Sequence, residues 1–196
     1  MEPASAEVSA FILAGGKSTR MGMDKAFIAL DGRTLLARML DLARLVSPEV
    51  AIVGDAAKFA PFAPTVQDVF PGCGPLGGIH AALRASKSDM NLILAVDVPF
   101  VSLALLQYLI TRAGNAPDAL ATVARSGGWQ PLCAIYRREF QDAAERALRA
   151  GRHKIDALFA EVRMHVIEEQ ELETAGFAPR IFRNLNTPDD LAQAGK

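Results

Sequence analysis

Hydrophobic and polar positions along the chain follow two alternating patterns. Short apolar runs, typical of buried strands, are followed by segments in which apolar residues recur every three or four positions, as in helices. The runs predict strands at 8–14, 50–53, 64–68, 91–96, 119–124, 131–136 and 163–167, and the periodic segments predict helices at 35–46, 79–85, 102–112, 138–150 and 154–161. This order predicts an α/β fold, a three-layer α/β/α sandwich with a Rossmann-like, mainly parallel sheet.

Length and composition favour one domain. The chain has 196 residues, of which 51% are hydrophobic and 22% charged, so a substantial core can be buried and disorder is not expected. No repeat, low-complexity segment or long linker divides the sequence. We therefore interpret residues 1–196 as a single domain.

The charge balance and the cysteines exclude several classes of protein. The formal net charge is −1, with 21 basic and 22 acidic side chains and no long block of either sign, which argues against binding to nucleic acid or to a membrane surface. Cys73 and Cys133 form no C-x-x-C pair, so neither a disulfide framework nor a zinc ribbon is predicted. No basic segment precedes an apolar run near Met1, and the longest apolar stretch, 92–106, is interrupted and too short to span a bilayer. We expect a cytoplasmic protein.

The loop that follows the first predicted strand has the chemistry of a phosphate-binding site. Paired glycines, Gly15 and Gly16, let a ligand approach the backbone closely, and amides at the carboxyl edge of a parallel sheet can bind anions. Arg20 and Lys25 add two cations suited to phosphate oxygens. The alternative is a solvated loop whose basic residues face water.

Two better-known phosphate-binding loops do not fit this spacing. A P-loop, G-x-x-x-x-G-K-[ST], would need glycine at the position of Phe11, which lies inside the strand. The dinucleotide motif G-x-G-x-x-G is absent too, because Gly15 and Gly16 are adjacent and the next glycine is Gly22. A P-loop enzyme and a dehydrogenase are therefore not expected.

A carboxylate is predicted at the same edge of the sheet. Asp97 directly follows the apolar strand 91–96, and parallel strands end at a common edge, so Asp97 should face the first loop. Mg²⁺ in proteins takes one or two carboxylates and completes its shell with phosphate oxygens and water. The alternative role for Asp97 is to cap the following turn.

Several motifs together resemble one family. The pattern L-A-G-G-x-S-x-R-M-G-x-D-K at 13–25, followed by Gly74–Gly78, Asp97–Phe100, Gln130–Tyr136 and the N-L-N-T-P segment from Asn184, resembles the molybdenum cofactor guanylyltransferases of the nucleotidyltransferase superfamily. The resemblance extends from about residue 9 to residue 192.

The resemblance implies an activity and a set of site residues. It implies transfer of GMP from Mg²⁺-bound GTP to molybdenum-loaded molybdopterin, and it allows contacts with molybdenum-insertion proteins and client molybdoenzymes. Nucleotide binding is expected in a part spanning about 8–115 and acceptor binding in a part spanning about 116–192. By resemblance, the triphosphate is held by Arg20 and Lys25, the nucleotide also by Leu13, Ala14, Gly15, Gly16 and Asp68, the metal by Asp97, and the acceptor by Asn184 and Asn186.

Some points stay open at this stage. The family often carries asparagine at the end of the second strand, where this chain has Gly54 and Asp55, so that contribution to nucleotide binding is not transferred. Asn184 and Asn186 could instead form a local turn, and His80 is interpreted as structural. A related transferase using another base or acceptor (CMP to molybdopterin, or a sugar phosphate) and a non-catalytic GTP-binding regulator are the alternative functions, since no residue excludes adenine or cytosine.

Overall fold

The computed structural model describes residues 8–15 and 24–185. Strands in this part are β1 (Val8–Leu13), β2 (Ala29–Leu30), β3 (Arg33–Thr34), β4 (Glu49–Val53), β5 (Thr65–Val66), β6 (Met90–Ala95), β7 (Ala121–Arg125), β8 (Trp129–Arg137) and β9 (Met164–Glu168). Helices are α1 (Leu35–Arg44), α2 (Ala56–Phe59), α3 (Pro75–Ala85), α4 (Leu103–Gly114), α5 (Phe140–Arg149), α6 (Ile155–Phe159) and α7 (Glu169–Thr174), and two 3₁₀ turns are η1 (Lys25–Phe27) and η2 (Pro179–Phe182).

Seven strands form one sheet in the order β5-β4-β1-β6-β8-β7-β9, and β2 and β3 pair separately. The pairs β4–β5, β1–β4, β1–β6 and β7–β9 are parallel. β8 is antiparallel to both of its neighbours, β6 and β7. The sheet is therefore mainly parallel, and β1, β4 and β6 end together at its centre.

Both faces of the sheet are covered, as the apolar strands require. Side chains of β1 alternate between two cores: Ala10 and Ile12 join the core that includes α1 and α4, whereas Phe11 and Leu13 join the core of α3, α5 and α6. All six residues of β1 and of β6 are buried. This confirms the predicted three-layer α/β sandwich.

The seven predicted strands are all present, but one helix begins earlier than predicted. The sequence placed the start of α3 at residue 79, whereas the helix begins at Pro75. Proline is favoured in the first turn of a helix because its missing N–H would have no helical partner there. Gly77 and Gly78 therefore belong to the helix and not to the loop before it.

Within the residues that the structure describes, no helix is both long and apolar enough to cross a membrane.

Candidate active site

The loop after β1 starts in the middle of the sheet, between β4 and β6. Val53 accepts hydrogen bonds at its carbonyl oxygen from the amides of Ala14 and Gly15, at 3.1 and 3.2 Å, and the amide of Val96 donates to the Leu13 carbonyl at 3.2 Å. The amides of Ala14 and Gly15 therefore form hydrogen bonds within the protein, at the edge of the sheet. Amides that would bind phosphate must come from farther along the loop, and the predicted site residues Gly16 and Arg20 lie outside the described residues.

Lys25 and Asp97 meet at this edge. The Lys25 Nζ lies 2.8 Å from the Asp97 Oδ2, and the two side chains are 21% and 19% exposed. Asp97 lies two residues after the end of β6, and Lys25 opens η1, whose next residue, Ala26, is fully buried. The predicted convergence of a cation from the first loop with the acid after the central strand is confirmed.

Asp68 lies beside the first turn of α3. Its Oδ1 accepts a hydrogen bond from the Phe70 amide at 2.8 Å. Both carboxylate oxygens lie 3.0 Å from the point that a Cβ on Gly77 would occupy, so the helix fits against Asp68 because Gly77 has no side chain. Desolvation by burial raises the pKa of Asp68 above its usual value. Burial thus disfavours the charged carboxylate, and the hydrogen bond from the Phe70 amide offsets this effect only in part.

A second glycine of α3 brings the helix close to β1. A Cβ on Gly78 would lie 3.2 Å from the Leu13 Cδ2, which is tighter than ordinary van der Waals contact. The N-terminal end of α3 therefore packs directly against the end of the strand that carries the first loop.

Asn184 is brought to the same edge by its neighbour. The Leu185 amide donates to the backbone carbonyl of Asp97 at 2.9 Å, and Leu185 itself is buried. Asn184 is exposed. The chain segment predicted to bind the acceptor is thereby attached to the residue predicted to bind the metal, while Asn186 lies outside the described residues.

Gly54, one of the two residues at the strand end where the resemblance leads us to expect asparagine, has no room for a side chain. A Cβ there would lie 2.8 and 2.9 Å from two ring carbons of Phe59. The Phe59 ring is 1% exposed and cannot swing into solvent. On its other side Gly54 faces Gly15, since a Cβ on Gly15 would lie 3.7 Å from the Gly54 Cα. The structure therefore explains this departure: an aromatic ring occupies the space beside β4.

His80 is structural in its surroundings, as the sequence indicated. It is 1% exposed, its Nε2 lies 3.7 Å from a carboxylate oxygen of Glu145, and its ring packs edge-on against Phe70 at 5.1 Å. Burial lowers the pKa of His80 below its usual value. The neutral ring therefore supports α3 behind the loop that carries Asp68.

The described residues fit a metal that is bound mainly through substrate. Among them, no three His, Cys, Asp or Glu side chains are grouped as ligands of a preformed site. Mg²⁺ bound by a nucleotide needs only one or two carboxylates, because phosphate oxygens and water complete its octahedral shell. Asp97, partly exposed and paired with Lys25 through Oδ2, is suited to that role.

Two residues that were not predicted as site residues support this site. Asp24 accepts a hydrogen bond from the Ala26 amide at 2.9 Å and so caps η1, and it also pairs with Lys58 of α2. A capping signal for Asp24 was present in the sequence, since aspartate is a preferred N-cap residue. No spacing or periodicity identified Lys58.

Comparison with known proteins agrees with the fold. The model of the MobA-like NTP transferase domain matches residues 10–167. The chain is 35% identical to the molybdenum cofactor guanylyltransferase of Syntrophotalea carbinolica, over 93% of this chain and 88% of that protein. It is 34% identical to the protein of the same name from Desulfosudis oleivorans, over 95% of this chain and 94% of that protein.

A crystal structure of a related protein shares the whole architecture. Molybdopterin-guanine dinucleotide biosynthesis protein A from Archaeoglobus fulgidus is 28% identical, with a TM-score of 0.83 over 95% of this chain and 96% of that chain. These matches confirm the resemblance found in the sequence motifs. The chain is a nucleotidyltransferase that belongs to the MobA-like NTP transferase family, together with the molybdenum cofactor guanylyltransferases.

Proposed function

We propose that this enzyme transfers GMP from GTP to molybdenum-loaded molybdopterin, forming the guanine dinucleotide cofactor and pyrophosphate. The observation that carries the proposal is the 2.8 Å approach of Lys25 to Asp97 at the carboxyl edge of the sheet. The guanylyltransferase names of relatives at 35% and 34% identity support guanine as the base and the molybdenum cofactor as the acceptor.

The first role of the site is to bind the triphosphate. Lys25 would contact phosphate oxygens, assisted by Arg20 and by amides of the loop from Gly16 onward, and the backbone at Leu13–Gly15 would face the base and ribose. Mg²⁺, held by Asp97 and by the phosphates, would offset charge on the α-phosphate and on the departing pyrophosphate. Asp68, whose pKa burial raises, would contact the nucleotide from the first turn of α3.

The second role is to position the acceptor. Asn184 and Asn186 would hold the pterin through amide hydrogen bonds, next to the backbone bond between Leu185 and Asp97. The terminal phosphate of the acceptor then attacks the α-phosphorus in line: a new P–O bond forms, and the bond between the α-phosphorus and the bridging oxygen of pyrophosphate breaks. No side chain has to act as a nucleophile. Orientation and electrostatic stabilisation supply the catalysis.

A nucleotide panel tests this proposal. The protein is incubated with GTP, CTP, ATP or UTP, with Mg²⁺ and molybdenum-loaded molybdopterin, while pyrophosphate and the dinucleotide product are measured. We expect product with GTP only. Product with CTP alone would show that the enzyme transfers CMP and not GMP. In a parallel assay, turnover with a sugar phosphate in place of molybdopterin would show that the acceptor is a sugar phosphate. GTP binding without pyrophosphate release would point to a binding protein.

The Asp97→Asn variant tests the assigned role of the carboxylate. It keeps the size of the side chain, so the fold should persist, and loss of one key electrostatic stabiliser should lower the turnover rate about 10²-fold or more. The rate is measured at limiting Mg²⁺, with circular dichroism as a check of folding. Near-wild-type turnover under these conditions would remove Asp97 from the mechanism.

A further inference from the structure

We propose that Lys58 is a positioning residue for Lys25: through its ion pair with Asp24, it fixes η1 so that Lys25 points toward the triphosphate site. The inference rests on the proposed function of Lys25. Lys58 lies on α2, outside every motif that carries the family resemblance.

Asp24 connects the two lysines. It immediately precedes Lys25, and its Oδ1 accepts a hydrogen bond from the amide of Ala26, the second residue of η1, at 2.9 Å. Its Oδ2 pairs with the Lys58 Nζ, and the two side chains are 25% and 35% exposed. One carboxylate therefore caps the turn and anchors it to α2.

Aromatic rings hold Lys58 in place from the other side. Its Nζ lies 5.5 Å from the ring centre of Phe27 and 5.0 Å from that of Phe59, within the range of cation–π attraction. The two rings stack with centres 6.0 Å apart and an interplanar angle of 21°. Because Phe27 is the last residue of η1 and Phe59 is buried, Lys58 links the turn to the core at two points.

Removing the Lys58 charge would change which carboxylate pairs with Lys25. Asp24 would lose its cation and would become a second carboxylate beside Lys25, in competition with the position at Asp97. Lys25 would then be less available to the β- and γ-phosphates. The defect should therefore be larger for a triphosphate than for a monophosphate with the same base.

Equilibrium binding to Lys58→Met tests this inference. Methionine keeps an unbranched apolar chain on the Phe27 and Phe59 rings and removes only the charge. We expect the dissociation constant for GTP with Mg²⁺ to rise about tenfold, as for loss of one well-oriented charged contact, and that for GMP to change less than about twofold. Lys58→Arg, which retains a cation, should stay within about threefold of the wild type for both nucleotides.

Three controls make the result decisive. Lys87→Met removes an exposed lysine between α3 and β6, at the opposite edge of the sheet, and should leave both constants unchanged. Asp24→Asn keeps the capping oxygen and removes the carboxylate charge. Combined with Lys58→Met, it removes the carboxylate that would compete for Lys25, so GTP binding should be no weaker than in Lys58→Met alone.

Other outcomes overturn the inference. Lys58 does not position Lys25 if Lys58→Met binds GTP as tightly as the wild type, or if it loses equal affinity for GTP and GMP. The same conclusion follows if the losses of GTP affinity add in the double variant. The measurement needs no acceptor and no turnover. If the wild type released no pyrophosphate with molybdopterin, the proposed function would fail while the ratio of GTP to GMP affinity would still decide the role of Lys58.

Discussion

Gly77 offers a direct test of how tightly α3 is fitted against the nucleotide loop. A glycine inside a helix normally costs roughly 0.5–1 kcal/mol relative to alanine, so Gly77→Ala would stabilise a helix with free space around it. Here the new Cβ would lie 2.9 Å from the backbone carbonyl oxygen of Phe70 and 3.0 Å from both carboxylate oxygens of Asp68.

The position of that carbonyl decides the sign of the effect. The Phe70 oxygen accepts the Cys73 amide at 3.2 Å, so it cannot retreat without breaking a turn. Overpacking of this kind costs about 1–3 kcal/mol, which outweighs the gain in helix propensity. We expect a net loss of about 1 to 2 kcal/mol, which is a fall in Tm of about 3–6 °C for a chain of this size.

A matched control lies at the end of α4. Gly114 is helical and exposed, and no heavy atom outside its own stretch of helix backbone and its chain neighbours lies within 4 Å of the point its Cβ would occupy. The same change, Gly114→Ala, should therefore be neutral or stabilising by up to about 1 kcal/mol. Both variants are compared with the wild type by thermal and urea unfolding.

The two results together can refute the reasoning. Suppose that Gly77→Ala were as stable as the wild type while Gly114→Ala gained stability. The loop that carries Asp68 and Phe70 would then move at no cost in free energy, and α3 would not be closely packed against Asp68. A loss at Gly77 should also weaken GTP binding, since the displaced carboxylate is a predicted nucleotide contact.

Three further variants test neighbouring positions. Gly54→Ala should lower the urea midpoint of unfolding, because its Cβ would lie 2.8 Å from the buried Phe59 ring, and Phe59→Leu in the same chain should relieve part of the loss; full additivity would contradict the clash. Asp68→Asn keeps an oxygen for the Phe70 amide and removes a charge that burial disfavours. Because the pKa of Asp68 in the folded protein is raised above 3.8, its charge destabilises the fold at pH 7 but not at pH 3. The Tm of Asp68→Asn should therefore exceed that of the wild type at pH 7 and equal it at pH 3. A lower Tm of the variant at pH 7 would show that the folded protein stabilises the charge. Burial lowers the pKa of His80 below 6.5, so the unfolded chain binds its proton first as pH falls below that value, and stability should drop there. His80→Gln should flatten this part of the stability curve, measured by urea unfolding; an unchanged slope would assign it to other groups.

The sheet was predictable because its strands are buried on both sides. Runs such as 91–96 consist almost entirely of apolar residues, and such runs indicate strands without reference to the rest of the chain. The direction of a strand leaves no such trace. β8 contains an apolar run, as the strands of the parallel part do, so its antiparallel pairing with β6 and β7 could not be inferred from apolarity.

The small elements were missed for a different reason. β2 and β3 have two residues each, too few to show any periodicity. Their turn carries Asp31 and Gly32 with φ of 52° and 76°, the positive values that favour an Asp-Gly hairpin turn. That signal was in the sequence. For α2, four residues long, the signal was Asp55, a preferred N-cap residue whose side chain accepts a hydrogen bond from the Ala57 amide.

The site divides in the same way. Lys25 and Asp97 could be brought together from sequence because each lies where a strand leads to the sheet edge, and strand ends in a parallel sheet share a location. Lys58 could not be placed at the site from sequence, because its side chain reaches Asp24 across the surface and no sequence pattern indicates such a contact. Sequence therefore identifies residues placed by the sheet more readily than residues placed by side-chain packing.

The Lys25–Asp97 pair also implies a link between nucleotide and metal binding. In the structure the two charged groups lie 2.8 Å apart. GTP without Mg²⁺ must compete with Asp97 for Lys25, whereas a metal on Asp97 removes that competition, so GTP and Mg²⁺ should each strengthen binding of the other. A partly exposed pair contributes up to about 1 kcal/mol, so metal-free GTP should bind Asp97→Asn about fivefold more tightly than the wild type, although this variant turns over slowly. Asp118→Asn changes the net charge equally at an exposed position before β7 and should have no such effect. Equal metal-free affinities in the wild type and Asp97→Asn would mean that the pair does not restrain Lys25.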